Sequence, residues 1–512
     1  MEKLYNNIVL PEVWPPRNIE PTDMSEIEVP YLKEKPDVID ISVGRQLFVD
    51  NFLIFELEGL YPFYHKATKF EGNPVLVPET DEERNVTVPG ACPKAGGVWF
   101  DEKYGKYRMW YEAGWLNRLA YAESDDGIHW SRPTLDIKEG TNVVIDGIDS
   151  DSNTVFIDED ADESERYKLF FRGSGQGLPA YVATSPDGIH WSKLTETSVV
   201  GDRSTAFYNP FRKKWIYSIR DIKKRRYRNY RECDDLIAGA LGGDGYDRIP
   251  WLRTDEHDIP DPKLNITPHL YNFDAVAYES IMLGMFEIFK GPHNNDCAKI
   301  GVPKTTELIA AYSRDGFHFS RPDRESFIPA SRECGEWDRG YVQSAGGICL
   351  IKRDELWFYY CGFAGDETFV CEEETRDCGM YSNSATGIAK LRRDGFVSID
   401  GTGSLTTEKL TVADGRNKLF INAKAPLGEI RVEILNESGE VLDGYSAEDC
   451  VAFSGNDTAA RIVWKNNDTA SLPNVFRLRF TQKNAQLYSF WFSDTEDGDS
   501  HGFYAAGRPD GK

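Results

Sequence analysis

Three near-identical heptads constrain this chain more than any other feature: SDDGIHW at 124–130, SPDGIHW at 185–191 and SRDGFHF at 313–319. Each follows a strand-like run, LAYAE, YVAT or LIAAY. Asp-Gly is a tight-turn signal, because Gly takes a positive φ and Asp bonds its own local backbone. The Trp or Phe that follows returns the chain to a core. Degenerate copies at 232–236 (ECDDL) and 392–396 (RRDGF) extend the series to five turns, centred on Asp126, Asp187, Asp235, Asp315 and Asp394. The heptad therefore reads as scaffold, with its Ser, Asp and His fixing turns rather than holding a substrate.

A second pattern runs in phase with the first. Aromatic-rich runs occur at 106–114, 166–174, 214–222, 282–289 and 356–363, and four are preceded by a further short strand, at 96–101, 153–158, 204–209 and 346–351. In the fourth unit the two merge into YESIMLG at 278–284. Four antiparallel strands recurring five times are the mark of propeller blades, which in shorter form span about 40–50 residues. The expected fold is all-β: a five-bladed β-propeller over 46–404. It is preceded by an extended Pro- and Glu-rich arm (1–45), and followed by a β-sandwich of alternating strands (405–497) and a loose tail (498–512). Polar inserts at 239–268, 290–306 and 365–384 are expected as rim loops on one face.

Lys and Arg total 59 against 84 Asp and Glu, a formal charge of −25. Such a chain is expected to bind neither nucleic acid nor an anionic membrane. No apolar run reaches membrane-spanning length, and MEKLYNNIVLPEVWPP has no basic region followed by an apolar stretch, so a cytoplasmic location is expected. Nine scattered cysteines without zinc spacing read as free thiols, Cys371 and Cys378 being the one pair close enough to suggest a bridge. No metal site and no cofactor are called for.

In a propeller the innermost strands line a central channel, and side chains near their starts converge on one mouth. The candidates are Lys94 on blade one; Asp149 and Asp151 on blade two; Asp202 and Arg203 on blade three; Asp274 and Glu279 on blade four; Asp338, Arg339 and Gln343 on blade five. Tyr271, Tyr278, Trp115 and Trp337 are expected as stacking walls, and Arg220 as a substrate contact. Paired carboxylates in an aromatic pit suit glycosidic bond cleavage, one kept protonated and one ionised. Glu279, between an aromatic residue and the apolar run IMLGMF, is the expected acid, and Asp202, beside Arg203, the expected charged partner. The basic island KKRRYRNYRE at 223–232 would suit an anionic group.

These features resemble the five-bladed glycoside hydrolases: the furanosidase-type families 32, 43, 62 and 68 and the mannoside phosphorylases of family 130. RQLFVDN, GGVWFDEKYGKYRMWYEAGW, ESDDGIHWSRP and FYNPFRKKWIYSIRD carry the resemblance, which covers roughly residues 45 to 500. It implies an Asp on blade one as base or nucleophile, an Asp on blade three as pKa modulator and a Glu on blade four as general acid. Asp202 and Glu279 match the last two positions. PGACPKAGG on blade one has no carboxylate, so Asp50, Asp151 or Glu112 would have to substitute. The implied activity is that of an exo-acting glycoside hydrolase on a small oligosaccharide. Its alternatives are a phosphorylase whose basic island holds inorganic phosphate, and a non-catalytic carbohydrate-binding propeller. A structural calcium in the channel and a homo-oligomer built through the sandwich are both compatible with the resemblance.

Overall fold

The computed structural model describes residues 1–84, 86, 88–175, 179–240, 248–300, 302–365 and 380–510. The bridge considered between Cys371 and Cys378 lies outside the described residues.

Five antiparallel sheets form the blades. Their innermost strands are Val98–Asp101 (with the short Ala91–Cys92), Ser150–Ile157, Thr205–Asn209, His269–Glu279 and Gly340–Lys352. The second strands are Lys106–Ala113, Tyr167–Gly173, Lys214–Ile222, Ile281–Gly291 and Glu355–Phe363. The third are Arg118–Ser124, Pro179–Ser185, Arg226–Cys233, Thr305–Ser313 and Ser384–Arg392. Thr68–Lys69, which precedes blade one in the chain, is the outermost strand of blade five and closes the ring.

The heptads follow the third strands of blades one, two and four. In each, one Asp oxygen accepts two backbone N–H groups and the other meets the histidine Nδ1: Asp126 with His129 at 2.7 Å, Asp187 with His190 at 2.6 Å and Asp315 with His318 at 2.6 Å. Each turn also latches the preceding blade. Tyr359 of blade five donates to the Gly127 carbonyl (2.6 Å), Trp110 of blade one to Gly188 (2.7 Å) and Trp251 of blade three to Phe317 (2.7 Å). Gly127 and Gly188 have φ of 79° and 75°, and an added Cβ would strike the aromatic rings packed on them. The repeat thus joins blade to blade.

The C-terminal unit is an eight-stranded mixed sheet centred on Phe476–Ser493. Its membership corrects the expected boundaries. Ile39–Asp40, Gln46–Leu47 and Ile54–Tyr64 all belong to it, the last pairing along Val397–Thr407, so neither the propeller start at 46 nor the sheet start at 405 holds. The N-terminal arm is packed down: Leu4, Ile8, Leu10 and Tyr31 enter the sheet's core. The expected loose tail is also corrected. Phe503–Tyr504 pairs with Tyr278 and Glu279, and Ala506 is buried.

Candidate functional site

Antiparallel order inside each blade sorts side chains between two ends of the ring. The starts of first and third strands and the ends of second strands share one end. The ends of first and third strands share the other, which carries the heptads and faces the C-terminal sheet.

The first end gathers an axial cluster of ionisable groups. Near the end of each second strand, in phase, stand Glu112, Arg172, Arg220, Glu287 and Cys361. From the starts of the first strands come Lys94, Asp151, Arg203 and Asp274. Lys94 Nζ lies 2.5 Å from Glu112 and 3.1 Å from the Asp151 carbonyl, and its backbone N–H meets Cys361 Sγ at 3.0 Å. Arg203, at φ 58° and 2% exposed, donates its N–H to Ser152 Oγ (2.8 Å) and its guanidinium to Glu287 (3.3 Å). Asp274 accepts from Asn272 (3.1 Å) and from Ser344. Arg172 pairs with Asp151, and Arg220 with Asp202. The Arg220–Asp202 pair is the reachable part, its side chains 20% and 36% exposed; Arg172 and Asp151 are nearly buried, and Glu112 and Glu287 are enclosed.

Burial pushes both Glu112 and Glu287 up to about 7, with Lys94 and Arg203 respectively pulling the other way. Burial raises Asp274 as well, against Arg203. Glu287 Oε1, Arg203 Nε and Nη1, Arg228 Nη1 and both polar atoms of the Gln343 amide lack hydrogen-bond partners among the described residues. Such a concentration of unsatisfied buried groups marks a place that water or a ligand fills. One wall is aromatic: Trp115 stacks on Tyr381 (4.2 Å, 7°), and Tyr341 lies edge-on to Trp115 (6.0 Å).

Asp151, Asp202, Arg203, Arg220, Asp274, Gln343 and Trp115 thus assemble at one end. Four expected site residues do not join them. Glu279 ends its strand about eight residues, or about 26 Å, beyond Tyr271. There it binds Arg393 (3.1 Å), Arg45 (3.6 Å), the Arg45 N–H (3.1 Å) and Ser500 (2.7 Å), locking the propeller to the C-terminal sheet. Tyr278, beside it, donates to Asp394. Asp338 pairs with Lys69 (2.6 Å) and Tyr360 (2.9 Å), tying down the outermost strand of blade five. Trp337 packs across Gly362 and Gly387 of that blade, where an added Cβ would strike its ring. Of the substitutes considered for blade one, Glu112 is in the cluster, whereas Asp50 is bound to Arg314 (2.9 Å) on the other side of the ring. Glu287 is set apart in the sequence only by its phase with Glu112, Arg172 and Arg220. Among the described residues no group of three or more His, Cys, Asp or Glu is disposed to hold a metal.

No family model matches the chain. Two strain versions of an uncharacterised Mycobacterium tuberculosis protein are 30% identical over 105 residues, 19% of this chain; the match spans about a third of their own length (33%). Several solved structures align with the chain at low identity. An N-acetylgalactosamine deacetylase from F. plautii, in complex with blood group B trisaccharide, aligns with 66% of this chain and 96% of its own (TM-score 0.43, 12% identity). A family 43 arabinoxylan arabinofuranohydrolase from Bacillus subtilis, in complex with cellotetraose, aligns with 84% and 99% (0.35, 12%). A thermostable family 43 glycoside hydrolase aligns with 61% and 96% (0.39, 11%). The class that the fold itself defines is a five-bladed β-propeller joined to a C-terminal mixed sheet.

Proposed function

We propose that the protein is a carbohydrate-active enzyme that cleaves the glycosidic bond of a small glycoside at the axial cluster. The observation that carries this reading is Glu287, a carboxyl that keeps its proton to about pH 7 and has one oxygen without a partner among the described residues. Enclosed as it is, such a group can pass its proton to a leaving-group oxygen through one water in the unsatisfied cluster, the step that glycosidic cleavage most needs. Asp151 and Asp202, each paired with an arginine, stand nearer the mouth, where they would bind sugar hydroxyls and oppose the positive charge growing at the anomeric carbon. The Trp115 ring, between Tyr381 and the Lys94 ammonium (3.9 Å), packs the cluster from one side.

A second reading, phosphorolysis, is favoured by Arg226, which has no carboxylate partner among the described residues and lies over the Tyr271 ring at 4.9 Å. Turnover of a glycoside panel with and without inorganic phosphate separates the two. In either case Glu287→Gln is expected to lower kcat by about 10²–10⁴-fold while glycoside binding persists. Full turnover in that variant overturns the assignment of the acid. Binding without turnover by the unaltered protein overturns catalysis altogether.

A further inference from the structure

Lys304 is 2% exposed and has no carboxylate partner among the described residues. Among the described residues its Nζ hydrogen-bonds only to phenols, Tyr381 at 2.5 Å and Tyr271 at 3.2 Å, with the Tyr341 ring centre at 4.7 Å; Glu287 is near enough to feel its charge but not to pair with it. A buried ammonium without a compensating negative charge is strongly disfavoured. Tyr271 has the geometry to supply that charge. Its oxygen accepts from Lys304 and also from the Tyr341 hydroxyl (2.9 Å), and it donates to nothing among the described residues. A phenol that accepts twice and donates nowhere is bonded as a phenolate would be.

The surrounding groups agree. From blade three, Arg226 covers the Tyr271 ring, and Arg220 adds a second cation. On blade four, burial and Arg226 push His269 down to about 4, so it is neutral at neutral pH; His293 lies beyond it, ring centres 6.0 Å apart. On blade five, burial drives the Tyr341 hydroxyl well upward, which keeps it a donor. Glu287, whose charge acts on Tyr341, is itself protonated up to about pH 7. Burial pushes the Tyr271 phenol up, but Lys304 and Arg226 together outweigh it and leave the group below the ordinary phenol value.

We propose that Tyr271 is held as a phenolate by Lys304 and serves as the base of the axial site. The catalytic half of this inference rests on the glycoside-cleaving reading above. In that step an O–H bond of water breaks and its proton passes to the Tyr271 oxygen. The water oxygen bonds to the anomeric carbon, the glycosidic C–O bond breaks, and the leaving oxygen takes the proton of Glu287. Tyr271 then releases its proton to solvent and Glu287 regains one, so one water is consumed per bond.

The test needs no glycoside, which separates its failure from failure of the functional reading. The full-length protein, labelled with ¹³C at tyrosine Cζ, is examined by NMR at neutral pH. One of the 25 tyrosines is expected at the phenolate shift. The ultraviolet difference spectrum should show one tyrosinate titrating below the ordinary phenol value of about 10, absent from Tyr271→Phe and moved to higher pH in Lys304→Met. Where substrate turnover is available, Tyr271→Phe should lose kcat by 100-fold or more with KM little changed. Twenty-five phenol signals at neutral pH, or wild-type and Tyr271→Phe spectra that superimpose up to about pH 10, overturn the proposal.

Discussion

Glu279 and Glu287 sit on the two strands of one hairpin, and both are fully enclosed, yet their surroundings are opposite. Glu279 is saturated: two arginines, a backbone N–H and a serine hydroxyl use its oxygens. Glu287 has a single arginine at 3.3 Å and an oxygen with no partner among the described residues. A saturated buried carboxylate is structural, because every lone pair already stabilises the fold. An under-satisfied one is poised, because its proton can be lost or given at little structural cost. Burial alone, which first drew attention to Glu279, does not separate the two cases; the partner count does.

The comparison can be broken in several ways, the largest effect first. Glu279→Ala removes the carboxylate paired with Arg393 and leaves Arg45 with Asp394 alone (3.0 Å), and should cost about 3–5 kcal/mol, read as a large fall in the midpoint of thermal or urea unfolding. Glu287→Gln should keep a near-native unfolding midpoint while abolishing turnover. If Glu287→Gln unfolds and Glu279→Ala does not, the roles are reversed.

The next effect concerns pH. The folded value of Glu287, about 7, lies above the unfolded value of about 4.3. Between these limits the folded chain holds a proton that the unfolded chain has lost. Stability should therefore fall as pH rises through that window and level off above about 7. Glu112, also pushed up to about 7, contributes in the same sense. Glu287→Gln should remove one of the two contributions, visible as a flatter slope of unfolding midpoint against pH.

The heptads should show the reverse sign. Burial acts to raise Asp187, but the bonds from His190 and the backbone outweigh it and bring the carboxyl down to about 2. Its stabilisation is present above about pH 3.9 and is lost as pH falls through about 2. Asp187→Ala should cost about 1–2 kcal/mol at neutral pH, measured by urea unfolding, and leave turnover unchanged.

Blade number and the scaffold role of the heptads were legible because both depend on local spacing: an Asp-Gly turn, then an aromatic re-entry, five times over. The end of the ring that each residue faces was harder to read on blade four. There Ser280 alone separates His269–Glu279 from Ile281–Gly291, and the turn is made by Glu279 itself at φ 50°. YESIMLG consequently reads as one strand, which places Glu279 near a strand start when it is a strand end. Glu287 hides inside MLGMFEIF, an apolar run in which only its phase with Glu112, Arg172 and Arg220 sets it apart. The pairing of Ile54–Tyr64 with Val397–Thr407 joins segments more than three hundred residues apart, and alternation within either strand carries no information about its partner.

The most direct test of the central claim, that the axial cluster holds a protonated acid at Glu287, is infrared difference spectroscopy of the full-length protein across pH 5 to 9. Two protonated-carboxyl bands are expected to titrate with midpoints of about 7, for Glu112 and Glu287, and one of them should vanish in Glu287→Gln. Spectra of the wild type and Glu287→Gln that superimpose across that range would contradict the account.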